Sequence, residues 1–211
     1  MKLKLYGYWR SSASWRVRWA FELKKIPYEY IPVNILKEEH RSEEHLARNS
    51  MGALPVLEIS PGTFLSQSIA ILWWMEEAFE NEIFLFGKDR TDRYKIIELC
   101  ELINADTAPL QTPRVQKMHS DDAKKKLDWA KHFIRSGLES YEKKVSACAG
   151  SFSLGKNLSA ADLFLIPQLY NARRFEVNIE DYPHLSQIWT NCMATAECQK
   201  SSPEQQIDTV L

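Results

Sequence analysis

Between Tyr8 and Leu23 the chain reads YWRSSASWRVRWAFEL, and the residues with chemical potential stand at its start. Ser11, Ser12 and Ser14 follow Arg10 where an alternating pattern gives way to a helical one. One of these hydroxyls would cap the helix. Another, together with the free amides of the helix N-terminus, could hold a thiolate brought in by a ligand. Serine is too weak an acid to ionise here, and no Asp-His pair is evident to activate it. It would act as a hydrogen-bond donor rather than as a nucleophile. The magnitudes allow this. Lowering a thiol from a pKa of ~8.5 by two units requires about 2.7 kcal/mol. A hydrogen bond to a charged acceptor supplies roughly 1.5–3 kcal/mol, and a helix N-terminus adds about 0.3–1 kcal/mol.

A second junction of the same kind stands at Gln67-Ser68, where a hydroxyl and backbone amides could seat a carboxylate. Between the two lies ALPVLEI, whose Pro55 interrupts an apolar strand. A proline there belongs at a sheet edge or carries a cis bond, and either leaves the Leu54 backbone free to pair with a peptide ligand. Two strand-to-helix junctions and one strand proline on a small sheet would together hold an extended peptide bearing a thiol and a carboxylate. Glutathione has both. The arginines Arg10, Arg16, Arg18, Arg114, Arg173 and Arg174 read mostly as solvated faces and surface pairs, Arg16 and Arg18 above all. The run HRSEEH, His40 to His45, lacks zinc-ligand spacing and reads as charged surface rather than a metal site.

These groups need a scaffold, and the chain of 211 residues is long enough for one large domain or two small ones. With 27 Lys and Arg against 28 Asp and Glu, the net charge of −1 leaves no basic excess for a nucleic-acid or membrane-surface binder. Any anion recognition must come from arginines placed locally. Cys100, Cys148, Cys192 and Cys198 form no CxxC pair and read as free thiols in a reducing cytoplasm. The longest apolar run, Ile69 to Met75, is too short to span a bilayer.

The alternation in Lys2 to Tyr8 predicts a strand, and Trp15, Trp19 and Leu23 at every fourth position predict a helix from about Ala13 to Lys25. Tyr28 to Val33 restarts an extended segment, which makes a β-α-β unit with parallel strands. Lys37 to Arg48 is charged and nearly coreless, a mobile helix or loop. Ala53 to Ile59, the turn Ser60-Pro61-Gly62 and FLSQ form an antiparallel hairpin, and a second helix runs from Ser66 or Gln67 to about Glu80. The layout is an α/β thioredoxin-like domain, residues 1–82, followed by an all-helical domain, residues 83–211. Helices are expected at Arg93–Ala108, Asp122–Ala147, Ser159–Phe175 and His184–Glu197, with Ser159 and Asp162 forming a capping box.

RSSASWRVR, NSMGALPVL, QSIAILWWMEE and ADLFLIPQLYNARRFEVNIEDYPHL resemble, in order and over nearly the whole chain, the zeta-class glutathione transferases and maleylacetoacetate isomerases. The resemblance implies the glutathione transferase fold, a cytoplasmic homodimer, glutathione as cofactor and a small-molecule substrate. By motif position it implies Ser11 as the thiolate-stabilising serine, with Arg10 and Ser12 beside it in the catalytic group. Leu54, Pro55, Gln67, Ser68 and His40 would bind glutathione, and Arg10, Arg114 and Arg174 would meet the substrate. Ala13 stands where the class motif usually carries cysteine, and Thr112 where the class tends to have asparagine after PLQ. The implied reaction is glutathione-dependent cis-trans isomerisation of a maleylacetoacetate-like dicarboxylate in aromatic amino-acid catabolism. The alternatives are a general transferase conjugating electrophiles, a maleylpyruvate isomerase, and a non-catalytic scaffold.

Overall fold

In the computed structural model, which describes residues 3–79 and 83–209, the alternation of LKLYG becomes strand β1, Leu3–Gly7. The expected strand start at Lys2 and the expected helix end at Glu80 lie outside the described residues. Helix α1, Ser12–Lys24, ends at Lys25 in a left-handed conformation, and β2, Tyr28–Pro32, follows. β1 and β2 are parallel, as a β-α-β unit requires. Two short 3-10 turns and α2, Glu43–Arg48, lead to β3, Val56–Ser60. β4, Thr63–Ser66, turns back antiparallel, and α3, Ser68–Ala78, completes the set. The sheet order is β2-β1-β3-β4.

Side chains alternate across this sheet. Leu5 and Leu57, paired in register, are fully buried. On the other face Tyr6 and Val56 form a small core with Val33, Ile31, Leu54 and Phe64, and Arg48 of α2 lies over the Tyr6 ring at 4.2 Å. Lys37 to Arg48 is therefore not a coreless segment: His45 is 1% exposed and its Nε2 faces the Ala53 carbonyl at 3.3 Å.

Two units divide the chain: Met1–Leu85 with Thr195–Leu211, and Phe86–Ala194. The returning segment holds α9, numbered ahead of the helices between, at Ala196–Ser201. It packs on α1, where the Trp15 indole donates to the Ser201 hydroxyl at 3.1 Å and Lys200 pairs with Glu22 at 2.7 Å. Here the expected helix His184–Glu197 is broken, because Thr195 caps a fresh start by accepting from the Cys198 amide.

The second unit is helical: α4, Arg90–Asn104; α5, Pro113–His119; α6, Ala123–Val145; α7, Ala160–Arg174; and α8, Pro183–Met193. α5 was not among the expected helices, although Pro113 at its first turn is a start signal. The Ser159–Asp162 capping box forms as expected. The Asp162 carboxylate accepts from the amides of Ser159 at 2.9 Å and Ser153 at 2.7 Å. Complete burial still pushes its pKa up. The Tyr141 hydroxyl donates to the Ala161 carbonyl at 3.1 Å, which pins α6 to the start of α7.

Candidate functional site

The strand register decides where the chemistry gathers. Tyr6 of β1 lies opposite Val56 of β3, and Val56 lies opposite Ser66 of β4. One cross-sheet row thus joins the end of β1, which leads to Ser11, the start of β3, which follows Leu54-Pro55, and the end of β4, which leads to Gln67-Ser68. The three separate sequence signals stand at one end of one sheet.

At the first junction Ser11 itself is the N-cap of α1, its Oγ accepting from the Ser14 amide at 3.2 Å. The sequence reading divided capping and ligand contact between two serines. The structure assigns the cap to Ser11, and the two tasks are compatible because a hydroxyl that accepts from an amide retains its own proton to donate. Ser12 is the first residue of α1, half-buried, whereas Ser14 is fully buried and accepts from the Tyr8 amide at 3.4 Å. Ser14 is a support inside the turn. Arg10, half-buried, places its guanidinium over the Trp9 ring at 5.2 Å.

At the second junction the Leu54–Pro55 peptide is cis. Among the described residues no hydrogen bond is made to the Leu54 backbone. The approach to it is held by the Ala53 carbonyl, which accepts from the Asn49 side-chain Nδ2 at 2.9 Å and faces the His45 ring. His40, half-buried on the 3-10 turn Glu39–Arg41, packs its carbonyl against Gly52, where a Cβ would stand 2.9 Å away. Burial, with Arg41 beside it, holds the His40 imidazole below the usual histidine pKa.

The third junction carries two features that the sequence reading did not find. Gln67 is exposed and has φ 72° and ψ 115°, outside the regions non-glycine residues normally occupy. Such backbone costs on the order of 1–3 kcal/mol and recurs at binding sites. The second is Arg16. The expectation of a solvated Arg16 is overturned: it is 2% exposed, and its Nη1 donates to the Ser68 hydroxyl at 3.2 Å. A fixed positive charge thus stands behind the N-terminus of α3, and Ser68 keeps its proton for a ligand oxygen. Arg18 is likewise fully buried, not solvated. It donates to the carbonyls of Trp9 at 2.9 Å and Ser201 at 3.1 Å, and desolvation lowers its pKa. Both corrections have one cause. α1 is packed against α3, where Arg16 meets Ser68, and against α9, where Arg18 meets Ser201, so neither guanidinium has water to face.

In the helical unit Arg174 ends α7, exposed, and donates to the Asn171 carboxamide at 3.0 Å. Arg114, also exposed, lies in the first turn of α5. Thr112, at the N-cap of α5, gives its hydroxyl to the Pro109 carbonyl at 2.8 Å. Behind this turn Gln111 and Gln168 exchange side-chain hydrogen bonds at 2.7 and 3.1 Å, buried. That pairing fixes the 3-10 turn Ala108–Gln111, which leads into α5, against α7, and no sequence signal pointed to it.

The sheet end therefore offers a capped hydroxyl at one helix start, an unpaired backbone segment, and a hydroxyl with a buried cation at a second helix start. These donors and acceptors match a tripeptide carrying one thiol and a carboxylate, so the residues fit glutathione.

The family model for the glutathione S-transferase N-terminal domain matches residues 1–77, and that for the C-terminal domain matches residues 109–196. Maleylacetoacetate isomerase of Dictyostelium discoideum is 38% identical over 213 residues, covering 98% of this chain and 96% of that protein. A crystal structure of maleylacetoacetate isomerase from Anaeromyxobacter dehalogenans with bound GSH in the active site is 41% identical, with a TM-score of 0.90 over 99% of this chain and 98% of that one. A maleyl pyruvate isomerase, described as a bacterial zeta-class glutathione S-transferase, is 31% identical with a TM-score of 0.92 over 98% of this chain and 100% of its own. With both domain models matched in order and whole-chain relatives of this identity, the chain belongs to the glutathione S-transferase family, in the zeta-class group that contains the maleylacetoacetate isomerases.

Proposed function

We propose that this chain is a glutathione-dependent cis-trans isomerase of maleylacetoacetate-like dicarboxylates, working as a cytoplasmic homodimer in aromatic amino-acid breakdown. The observation that carries the reading is the cross-sheet row Tyr6–Val56–Ser66, because it assembles a thiol site, a peptide-pairing segment and a carboxylate seat from three junctions. The names of whole-chain relatives support the choice of reaction.

Glutathione supplies the nucleophilic thiolate that adds to the conjugated cis double bond and leaves once the resulting single bond has rotated. The Ser11 hydroxyl donates to the sulfur and keeps it ionised, and the N-terminus of α1 adds to that effect. Leu54 pairs its backbone with the peptide beside cis-Pro55. Ser68, backed by Arg16, and the amides at the start of α3 take the γ-glutamyl carboxylate, with Gln67 beside them. His40 serves the glycine end. Arg10 and Arg174 orient the substrate carboxylates and stabilise negative charge that develops on the substrate. Ser12 stands beside Ser11 in the catalytic group, and residues 1–82 and 83–211 divide the labour between cofactor and substrate.

Maleylpyruvate isomerase is the nearest second reading, supported by His40, Arg114 and the similarity to a structure of that enzyme. The test is optical: maleylacetone is mixed with enzyme and catalytic glutathione, with Ser11→Ala beside the wild type. The expected result is isomerisation without glutathione consumption, and a loss of about tenfold to a hundredfold in the variant, the worth of one charged hydrogen bond. Conjugation of a chlorinated electrophile without isomerisation would make the chain a general transferase, and activity toward neither would leave a scaffold.

A further inference from the structure

The turn that delivers Ser11 is held by a residue near the far end of the chain. The Trp9 amide donates to Asp208 Oδ2 at 3.0 Å, across 199 positions of sequence. The Tyr30 hydroxyl donates to the same oxygen at 3.3 Å. Arg18, whose guanidinium lies over the Tyr30 ring at 5.6 Å, donates to the Trp9 carbonyl at 2.9 Å. Trp9 is thus gripped at both ends, its N–H by an anion and its C=O by a cation. The next two residues are Arg10 and Ser11. The Ser11 amide in turn donates to the Tyr8 carbonyl at 3.0 Å, which closes the turn.

Asp208 is an uneconomical residue for stability alone. The residue is half-buried, but its Oδ1 is enclosed and accepts from no described group, and a carboxylate oxygen removed from water without a partner is costly. What it does accomplish is directional. A charge-assisted bond, about twice as strong as a neutral one, ties the Trp9 amide to the returning tail and leaves the turn one orientation.

We propose that Asp208 is a positioning residue for Ser11: the C-terminal segment clamps Trp9 through this carboxylate and thereby aims the Ser11 hydroxyl at the glutathione sulfur. The inference rests on the reading of Ser11 as thiolate donor, and the experiment separates the two. Asp208→Ala, Asp208→Asn and Ser11→Ala are compared with wild type by two readouts besides turnover. The first is hydrogen exchange of the Trp9 amide in the ligand-free protein. The second is the pH midpoint at which the ultraviolet thiolate band of bound glutathione appears. Asp208→Ala is expected to speed Trp9 exchange tenfold or more and to raise the midpoint by about one unit, the worth of one hydrogen bond. Asp208→Asn, which keeps an acceptor oxygen, falls between it and wild type, and it decides the matter if the alanine variant does not fold. A purely structural role would lower Tm and leave the midpoint of the folded protein where it was, and that result overturns the inference. If Ser11→Ala moves the midpoint and the folded Asp208 variants do not, the positioning claim alone falls. If Ser11→Ala does not move it, the Ser11 reading falls and takes the inference with it.

Discussion

The guanidinium of Arg16 donates to the Ser68 hydroxyl at 3.2 Å, so a side chain from the middle of α1 sets the chemistry at the first residue of α3. A buried cation this close makes the N-terminus of α3 a stronger anion seat than its backbone amides alone. Ser68→Ala is expected to weaken glutathione binding about tenfold to a hundredfold, and Arg16→Met to weaken it less while lowering stability by about 1–3 kcal/mol. Calorimetric titration with glutathione checks both. An unchanged Kd in Ser68→Ala would remove the carboxylate seat from the site.

Arg10 stacks on Trp9 and Arg174 donates to the Asn171 carboxamide, and both side chains keep access to solvent, Arg10 half-buried and Arg174 exposed. Arg10→Ala and Arg174→Ala are each expected to lower kcat/KM for a dicarboxylate about a hundredfold and to affect a neutral electrophile by less than about fivefold. Parallel assays on the two substrates read the difference. Equal losses on both would deny the arginines a carboxylate role.

His45 should make stability depend on pH. Burial holds its pKa below the ordinary histidine value of 6.5, although the bond to the Ala53 carbonyl acts the other way. Protonation would place a second N–H on Nδ1, which is buried with no acceptor among the described residues. The folded state therefore binds this proton less readily than the unfolded chain, and stability rises with pH across the interval. The contribution is present above pH 6.5 and is lost as pH falls toward and through the lowered folded value. Urea unfolding of wild type and His45→Gln between neutral and mildly acidic pH measures it, and the variant should give the flatter profile. Parallel profiles would place the titration elsewhere.

In the helical unit α6 approaches Thr107 so closely that a Cβ on Gly137 would stand 2.1 Å from the Thr107 Oγ1. Gly137→Ala is expected to cost about 1–3 kcal/mol of stability despite the better helix propensity of alanine. Thr107→Ala in the same chain should restore part of it. A thermal melt of the single and double variants decides, and a stabilised Gly137→Ala would mean that the helix shifts freely.

Local pattern determined a great deal here. Alternation in LKLYG, the fourfold spacing of Trp15, Trp19 and Leu23, the hairpin turn and the Ser159–Asp162 box each depend on neighbours within a few residues, and each was legible for that reason. Ser11, Pro55 and Ser68 were legible as junction residues. Tertiary structure alone decided what lies behind them. Arg16 and Arg18 look like surface charges until two segments remote in sequence pack on α1, α3 at Arg16 and α9 at Arg18, and remove the water they would face. His45 looks like part of a charged run until the loop before Pro55 folds its Ala53 carbonyl onto the ring. The positive φ at Gln67 carries no glycine to announce it. Which groups are desolvated, and which charge stands behind which hydroxyl, depends on contacts between segments remote in sequence, and no local pattern records those.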